Sequence, residues 1–478
     1  MNTIAQQILD IEGALVSDDN PARDDGTLDY ERCARLHNYL VAYDWMARNG
    51  RDTPDLDALA SERWLFHEAN ADDLEATRQR LDAPLNRFLD LVSDHRPPFF
   101  YWIDGLAMAL SDEFFIGENG REDDKERFVL IYRTISDLGS HNLGVVYDQQ
   151  LNRASFPMTT DNMESVEPID EHQEMWFPLE TILTHWIYMT RIGKIVPGLA
   201  EELPSGQPPT NRSQFYHWSW LPYCDAQIDS TIAAMERYSA AVESRMPPDS
   251  LLPISAPLFT NAELDAAAVP RECFIRHLLT RVKAPRFKFI APGLEVPHDK
   301  EAFARRQRFT NLPHEEDSIP GVLLFAAPDR LVDLNPEIRR LFSIAHHNAS
   351  MIGNDPVPTG LYSEPVRRSD YDMEEAGFHL VLPFPLQPGF FRDEEGARMS
   401  DGSPVSSGSF TQLFQHGYFH PFGGERRSQR LERLFEHWTG LVERGVWTVG
   451  EEGVSGGIDK LGDADRGAWN EYWIAPSW

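Results

Sequence analysis

Cysteine is scarce. Cys33, Cys224 and Cys273 are the only three among 478 residues, and an odd number at wide spacing supports neither a disulfide framework nor a CxxC zinc site. A reducing compartment is the expectation. Positive charge is in deficit too: 44 Lys and Arg stand against 76 Asp and Glu, for a net charge of -32. Such a field repels nucleic acid and anionic membrane alike, and it favours solubility. Long hydrophobic runs are missing. The longest apolar stretch, Thr181–Ile195, is broken by His185, Arg191 and Lys194, which suits a buried core helix and implies no membrane partner. Residues Met1–Gly13 carry no basic segment followed by an apolar run, so no secretory signal is expected and the chain reads as cytoplasmic.

Common catalytic signatures are also lacking. The sequence contains no GxxxxGK[ST], GxGxxG, GxSxG or HExxH, which sets aside P-loop hydrolysis, ordinary dinucleotide redox chemistry, nucleophile-elbow hydrolases and zinc helices. No cofactor is expected. The aspartate pairs Asp72–Asp73 and Asp123–Asp124 read DDLEA and DDKER, not DDxxD.

What the chain has in quantity is apolar and aromatic surface, with 12 Trp and 27 Phe, enough to offset the entropy of ordering a long polypeptide. Its texture changes along its length. Cys33, Leu36, Leu40 and Tyr43 fall at helical spacing, as do Leu74, Leu81, Leu85, Phe88 and Val92, with Pro84 expected to split the second group. The segment Phe128–Tyr147 fits helix and strand equally. Leu179–Ile192 reads as a helix apolar on most of its circumference, and residues 206–212 (GQPPTNR) as a linker. Beyond it come helices from Asp225, Pro336 and Leu431, with strand candidates at Phe287–Ile290, Val322–Phe325 and Phe378–Leu382. The expected fold is an α-rich α+β protein in two domains. Residues 1–204 would be mainly helical, and 205–478 would mix helices with short strands and a C-terminal amphipathic helix.

Several constellations could carry chemistry. His185, Thr181 and Tyr188 form a polar stripe on the otherwise apolar helix, and polar groups in a core need partners or a ligand. His185 is the candidate acid or base and Tyr188 a hydrogen-bond donor. Between Arg271 and Arg308 the charge reverses to an excess of Arg and Lys, a fit for carboxylate or phosphate; Arg276 and Arg281 are the candidate anion holders. Trp218, Trp220 and Tyr223 belong to an aromatic cluster that could wall a pocket. Gly423-Gly424 leads to Arg427 and Arg430 at the start of a helix, where cations are out of place unless an anion sits between them. His416 and His420 have a metal-like spacing, but two ligands make no site, so no metal is expected.

The segments Gly445–Gly450 (GVWTVG) and Gly456–Lys460 (GGIDK) resemble the C-terminus of fungal hypothetical proteins without assigned activity. That resemblance implies specialised metabolism and transfers no site. A fungal family of similar size, the arginine-containing cyclodipeptide synthases, uses charged tRNA and is associated with a DDxxE motif. The chain has no DDxxE, and its basic segment is what would suit tRNA phosphates. The leading expectation is an enzyme acting on a small anionic or aromatic substrate by general acid–base chemistry in a pocket between the two halves. The competing one is an interaction protein docking an acidic partner through its Arg-rich face.

Overall fold

The computed structural model describes residues 8–55, 59, 71–93, 98–107, 114–116, 126–135, 143–157, 173–198, 214–215, 218–253, 257–346, 348–370, 373–387, 396–417, 420–424 and 427–478. The linker expected at 206–212 lies outside them.

The first helices follow the periodicity. Asp29 caps the helix Tyr30–Asn49 by accepting from the Arg32 amide. The apolar run through Val92 becomes two helices, Ala71–Arg80 and Ala83–Leu91, and Asp82 accepts from the Leu85 amide at the start of the second. Pro84 falls in its first turn, where no intrahelical donor is lost.

The N-terminal half is nevertheless not a helical domain. Its centre is a four-stranded antiparallel meander of β1 (Ile103–Leu106), β2 (Phe128–Thr134), β3 (Gly144–Asp148) and β4 (Arg153–Ser155). A second antiparallel sheet joins β5 (Ile195–Pro197), β6 (Gln214–Phe215) and β7 (Trp218–Trp220) in the order β5-β7-β6. The expected α-rich fold with a largely helical first half is therefore corrected to an α+β mixture in both halves. Burial is the physical reason. All of β3 is buried, and in β2 only Phe128 and Arg133 are not. No alternation of apolar and polar residues is left to mark a strand, and an unbroken apolar run reads equally as helix.

The second half adds β8 (Phe289–Ala291), β9 (Leu294–Glu295), β10 (Ser318–Ile319), β11 (Leu323–Val332), β12 (Val357–Ser363), β13 (Val366–Arg367), β14 (Phe378–Val381), β15 (Val449–Gly450) and β16 (Gly453–Val454). Seven of these form one sheet in the order β14-β12-β11-β9-β8-β16-β15. Its pairs are antiparallel except β16 with β8. The strand candidates of the sequence fall on β8, β11 and β14. Close pairing of β12 with β11 depends on Gly360, at φ 144°, where a Cβ would come within 2.2 Å of the Phe325 carbonyl oxygen.

Helices Asp225–Glu243 and Leu431–Glu443 pack together beside this sheet, with the Tyr238 ring 5.7 Å from Trp438. The Tyr238 hydroxyl donates to the Ile290 carbonyl and so fastens the pair to β8. One buried apolar cluster runs from Ile11 to Trp478 and includes Trp186, Trp220 and Trp438. The helix Leu179–Arg191 thus shares a core with the C-terminal helix. Among the described residues no helix is long and apolar enough to cross a membrane.

Candidate functional site

The helix Leu179–Arg191 buries Leu179, Ile182, Leu183, Trp186, Ile187 and Met189. His185 is half-buried, and its Nδ1 lies 2.8 Å from the Thr181 carbonyl one turn earlier. A nitrogen facing a carbonyl donates, so Nε2 is left as an acceptor. The ring lies flat on Phe422, with 3.8 Å between centroids and 9° between planes. Burial lowers the imidazole pKa to about 4, and the Arg430 and Arg433 charges add to this while the Thr181 bond opposes it. At neutral pH His185 is therefore a neutral acceptor. Tyr188, one turn on, is 46% exposed, with its ring 6.1 Å from Trp478.

Phe414 introduces the segment that faces this helix. It holds φ at 66°, a left-handed conformation that is strained for a bulky residue and recurs near functional sites. Beyond it, His416 and His420 turn inward, 7% and 2% exposed, with ring centroids 4.8 Å apart. Gly417 lies against the Asp401 carboxyl group, where a Cβ would come within 1.8 Å. Neither ring nitrogen of His420 has a hydrogen-bond partner among the described residues. Burial holds both imidazoles well below their ordinary pKa, and the Arg427 charge pushes the same way.

Cations then alternate with indole rings. Gly423, at φ 101°, sits where a Cβ would come within 2.5 Å of the Trp102 ring, and its carbonyl accepts from the Arg427 guanidinium. That guanidinium lies 5.1 Å from the Trp102 ring centroid and 5.0 Å from that of Trp220. Arg430 is 6% exposed, lies 3.7 Å over Trp478, and pairs with Glu432 at 3.3 Å. Lys194 is fully buried, 4.7 Å from the Trp220 centroid, bonded to the Pro222 carbonyl at 3.0 Å and paired with Glu374 at 3.1 Å. Burial lowers the Lys194 pKa although Glu374 works against it. Gln227 and the Ala376 amide in turn hold Glu374.

The sequence candidates divide between this junction and other places. His185, Tyr188 and Trp220 lie in it, together with His416, His420, Arg427 and Arg430. Trp218 is buried beside Phe100, and its indole donates to the Pro98 carbonyl at 3.2 Å; the Trp220 indole donates to Met373 at 2.6 Å. Tyr223 packs on Phe274 and His277. Arg276 is buried, and its N–H groups donate to the carbonyls of Asn261, Val269 and Pro270, the Asn261 side chain and the Asp265 carboxylate. Arg281 is exposed and pairs with Asp229. Neighbouring cations find acids of their own chain as well, Lys283 with Glu236 at 2.9 Å and Arg305 with Glu301 at 3.5 Å.

Sequence reasoning missed Lys194, Glu374, Trp102, Phe422 and Trp478 as members of one cluster, because they are scattered over most of the chain. The usable signal was the Gly423-Gly424 turn leading to two arginines ahead of an amphipathic helix. Among the described residues no group of three or more His, Cys, Asp or Glu is placed to hold a metal ion.

No family model, curated protein or solved structure matches the chain. Its chemistry has to be argued from this geometry.

Proposed function

We propose that the chain is an enzyme of small-molecule metabolism that acts on an anionic or aromatic substrate at this junction, by general acid–base chemistry and without a nucleotide-fold cofactor. One observation carries the reading: His420 is 2% exposed, yet neither ring nitrogen is hydrogen-bonded among the described residues. Buried polar side chains almost always have partners, and leaving one without costs about 1–3 kcal/mol. A ligand that supplies the missing bond recovers that cost.

The neighbours give such a ligand its chemistry. A neutral imidazole can take a proton on one nitrogen and give one from the other, and His416 stands 4.8 Å from His420 to share that work. His185 contributes an acceptor through Nε2. Arg427 and Arg430 bring positive charge to a poorly solvated place, where it attracts a carboxylate or phosphate strongly. Trp102, Trp220 and Trp478, buried with guanidinium groups over their rings, give the place an aromatic surround.

The test compares the wild-type chain with H420Q in a small-molecule extract followed by mass spectrometry. The wild type should consume an anionic or aromatic component that H420Q, folded with an unchanged circular dichroism spectrum, leaves intact. Equal consumption by both proteins, or by neither, removes the reading.

A further inference from the structure

A cavity of about 260 Å³ opens between the helix Lys300–Arg306 and strands β9 and β11, and none of its lining residues belongs to the histidine junction. Its charges alternate. Glu295 stands between two cations, with Lys288 Nζ 3.6 Å from one carboxylate oxygen and Arg306 Nη1 3.8 Å from the other. Lys288 Nζ lies equally far, 3.6 Å, from the exposed Glu452 carboxylate outside the wall, and all three separations are longer than a hydrogen bond. Asp299, at the start of the helix, adds a second carboxylate to the wall, and Phe303 and Leu324 give it an apolar floor.

Both signs stand side by side in the wall. A simple anion is repelled by Glu295 and Asp299, and a simple cation by Lys288 and Arg306. A molecule carrying both signs a few ångströms apart gains on each: its anionic end on Lys288 and Arg306, its ammonium on Glu295. The volume falls below the roughly 300–1,000 Å³ of pockets for drug-sized ligands, which limits the guest to a small molecule. From this placement we infer that the cavity binds a small zwitterion, an α-amino acid with an aliphatic side chain that lies on Phe303 and Leu324. The inference rests on the cavity alone and does not depend on the activity proposed at the junction.

Isothermal titration calorimetry of the full chain with the standard L-amino acids tests it, with 4-methylpentanoate and isoamylamine as leucine lacking one charge or the other. At least one aliphatic amino acid should bind, and each single-charge analogue should bind at least tenfold more weakly. E295Q and R306M should each weaken binding at least tenfold, while R305M, outside the cavity wall, and H420Q, at the junction, should leave it unchanged. E295Q, R305M and R306M should keep the wild-type circular dichroism spectrum and melting midpoint, since Glu295, Arg305 and Arg306 are solvent-accessible, and H420Q should keep the wild-type spectrum. No binding of any amino acid overturns the proposal. So does equal binding of 4-methylpentanoate, which would make the cavity an anion site, and so does undiminished binding to folded E295Q.

Discussion

The phenyl ring of Phe422 lies parallel to the imidazole of His185 at 3.8 Å, and the carbonyl of the same Phe422 accepts from the Trp186 indole at 3.0 Å. One residue therefore both covers the polar stripe of the core helix and anchors the loop that carries the other two histidines. Replacing Phe422 by Ala should cost about 3–5 kcal/mol in urea denaturation, the usual cost of emptying a buried phenylalanine site. With the cover gone, the His185 pKa should rise from about 4 towards the ordinary imidazole value. An NMR titration of the His185 ring would register this, and an unchanged pKa in the variant would show that Phe422 is not what desolvates it.

The Lys194–Glu374 pair, at 0% and 3% side-chain exposure, offers a second test. Removing one partner of a buried pair strands the other charge, a loss of about 3–5 kcal/mol, whereas an apolar replacement of both is often close to neutral. K194M should therefore be strongly destabilised and K194M/E374L should recover most of the loss. Denaturation midpoints that fall further in the double variant would contradict this account.

Acid sensitivity should centre on the buried histidines. His37 is fully buried, accepts from the Tyr132 hydroxyl and donates to the Ser93 carbonyl, and burial lowers its pKa to about 4. The unfolded chain takes up this proton near pH 6.5 and the folded chain only near 4, so stability is present above 6.5 and is lost as the pH falls through that window. Between pH 7 and 4.5 the loss from His37 should be roughly 2–3 kcal/mol. In H37Q the difference between urea midpoints at those two pH values should shrink accordingly.

His379 runs the other way. Burial disfavours its charged form, but the Glu364 carboxylate 2.7 Å away outweighs burial and raises the pKa. Its contribution is complete below about pH 6.5 and is lost as the pH rises through the folded value. E364Q should lower stability more at pH 6 than at pH 8, and an equal loss at both would refute the pairing.

Two arginines from one helix should separate cleanly. R276A removes a buried guanidinium bonded to three carbonyls and a carboxylate, and the stranded acceptors should cost more than about 2 kcal/mol. R281A breaks an exposed pair with Asp229 and should change stability by about 1 kcal/mol or less. Comparable losses in the two variants would mean that burial does not set their weight.

What was legible in the chain was local. Asn335 ahead of Pro336, Asp225 at a helix start and the spacing of Leu431, Leu434, Phe435 and Trp438 all act within a turn or two, and the helices form there. The three strand candidates of the second half were bounded by Pro, Gly or charge, and they too were found. The meander of the first half was hidden because its strands are buried on both faces. The linker reading falls on residues that the structure does not describe.

Sequence alone determined where the helices from Tyr30, Asp225, Pro336 and Leu431 run, that the Leu179–Arg191 helix is a core element, and that its histidine would need a partner, since each follows from the periodicity and polarity of neighbouring residues. Only the tertiary structure decided what surrounds that histidine. Phe422 and Arg430 reach it from more than two hundred residues away along the chain, and it took the same folding to give Arg276 to its own backbone and to leave Glu295 between two cations. Packing in three dimensions sets which charges are desolvated together, and no pattern of spacing along the chain records that.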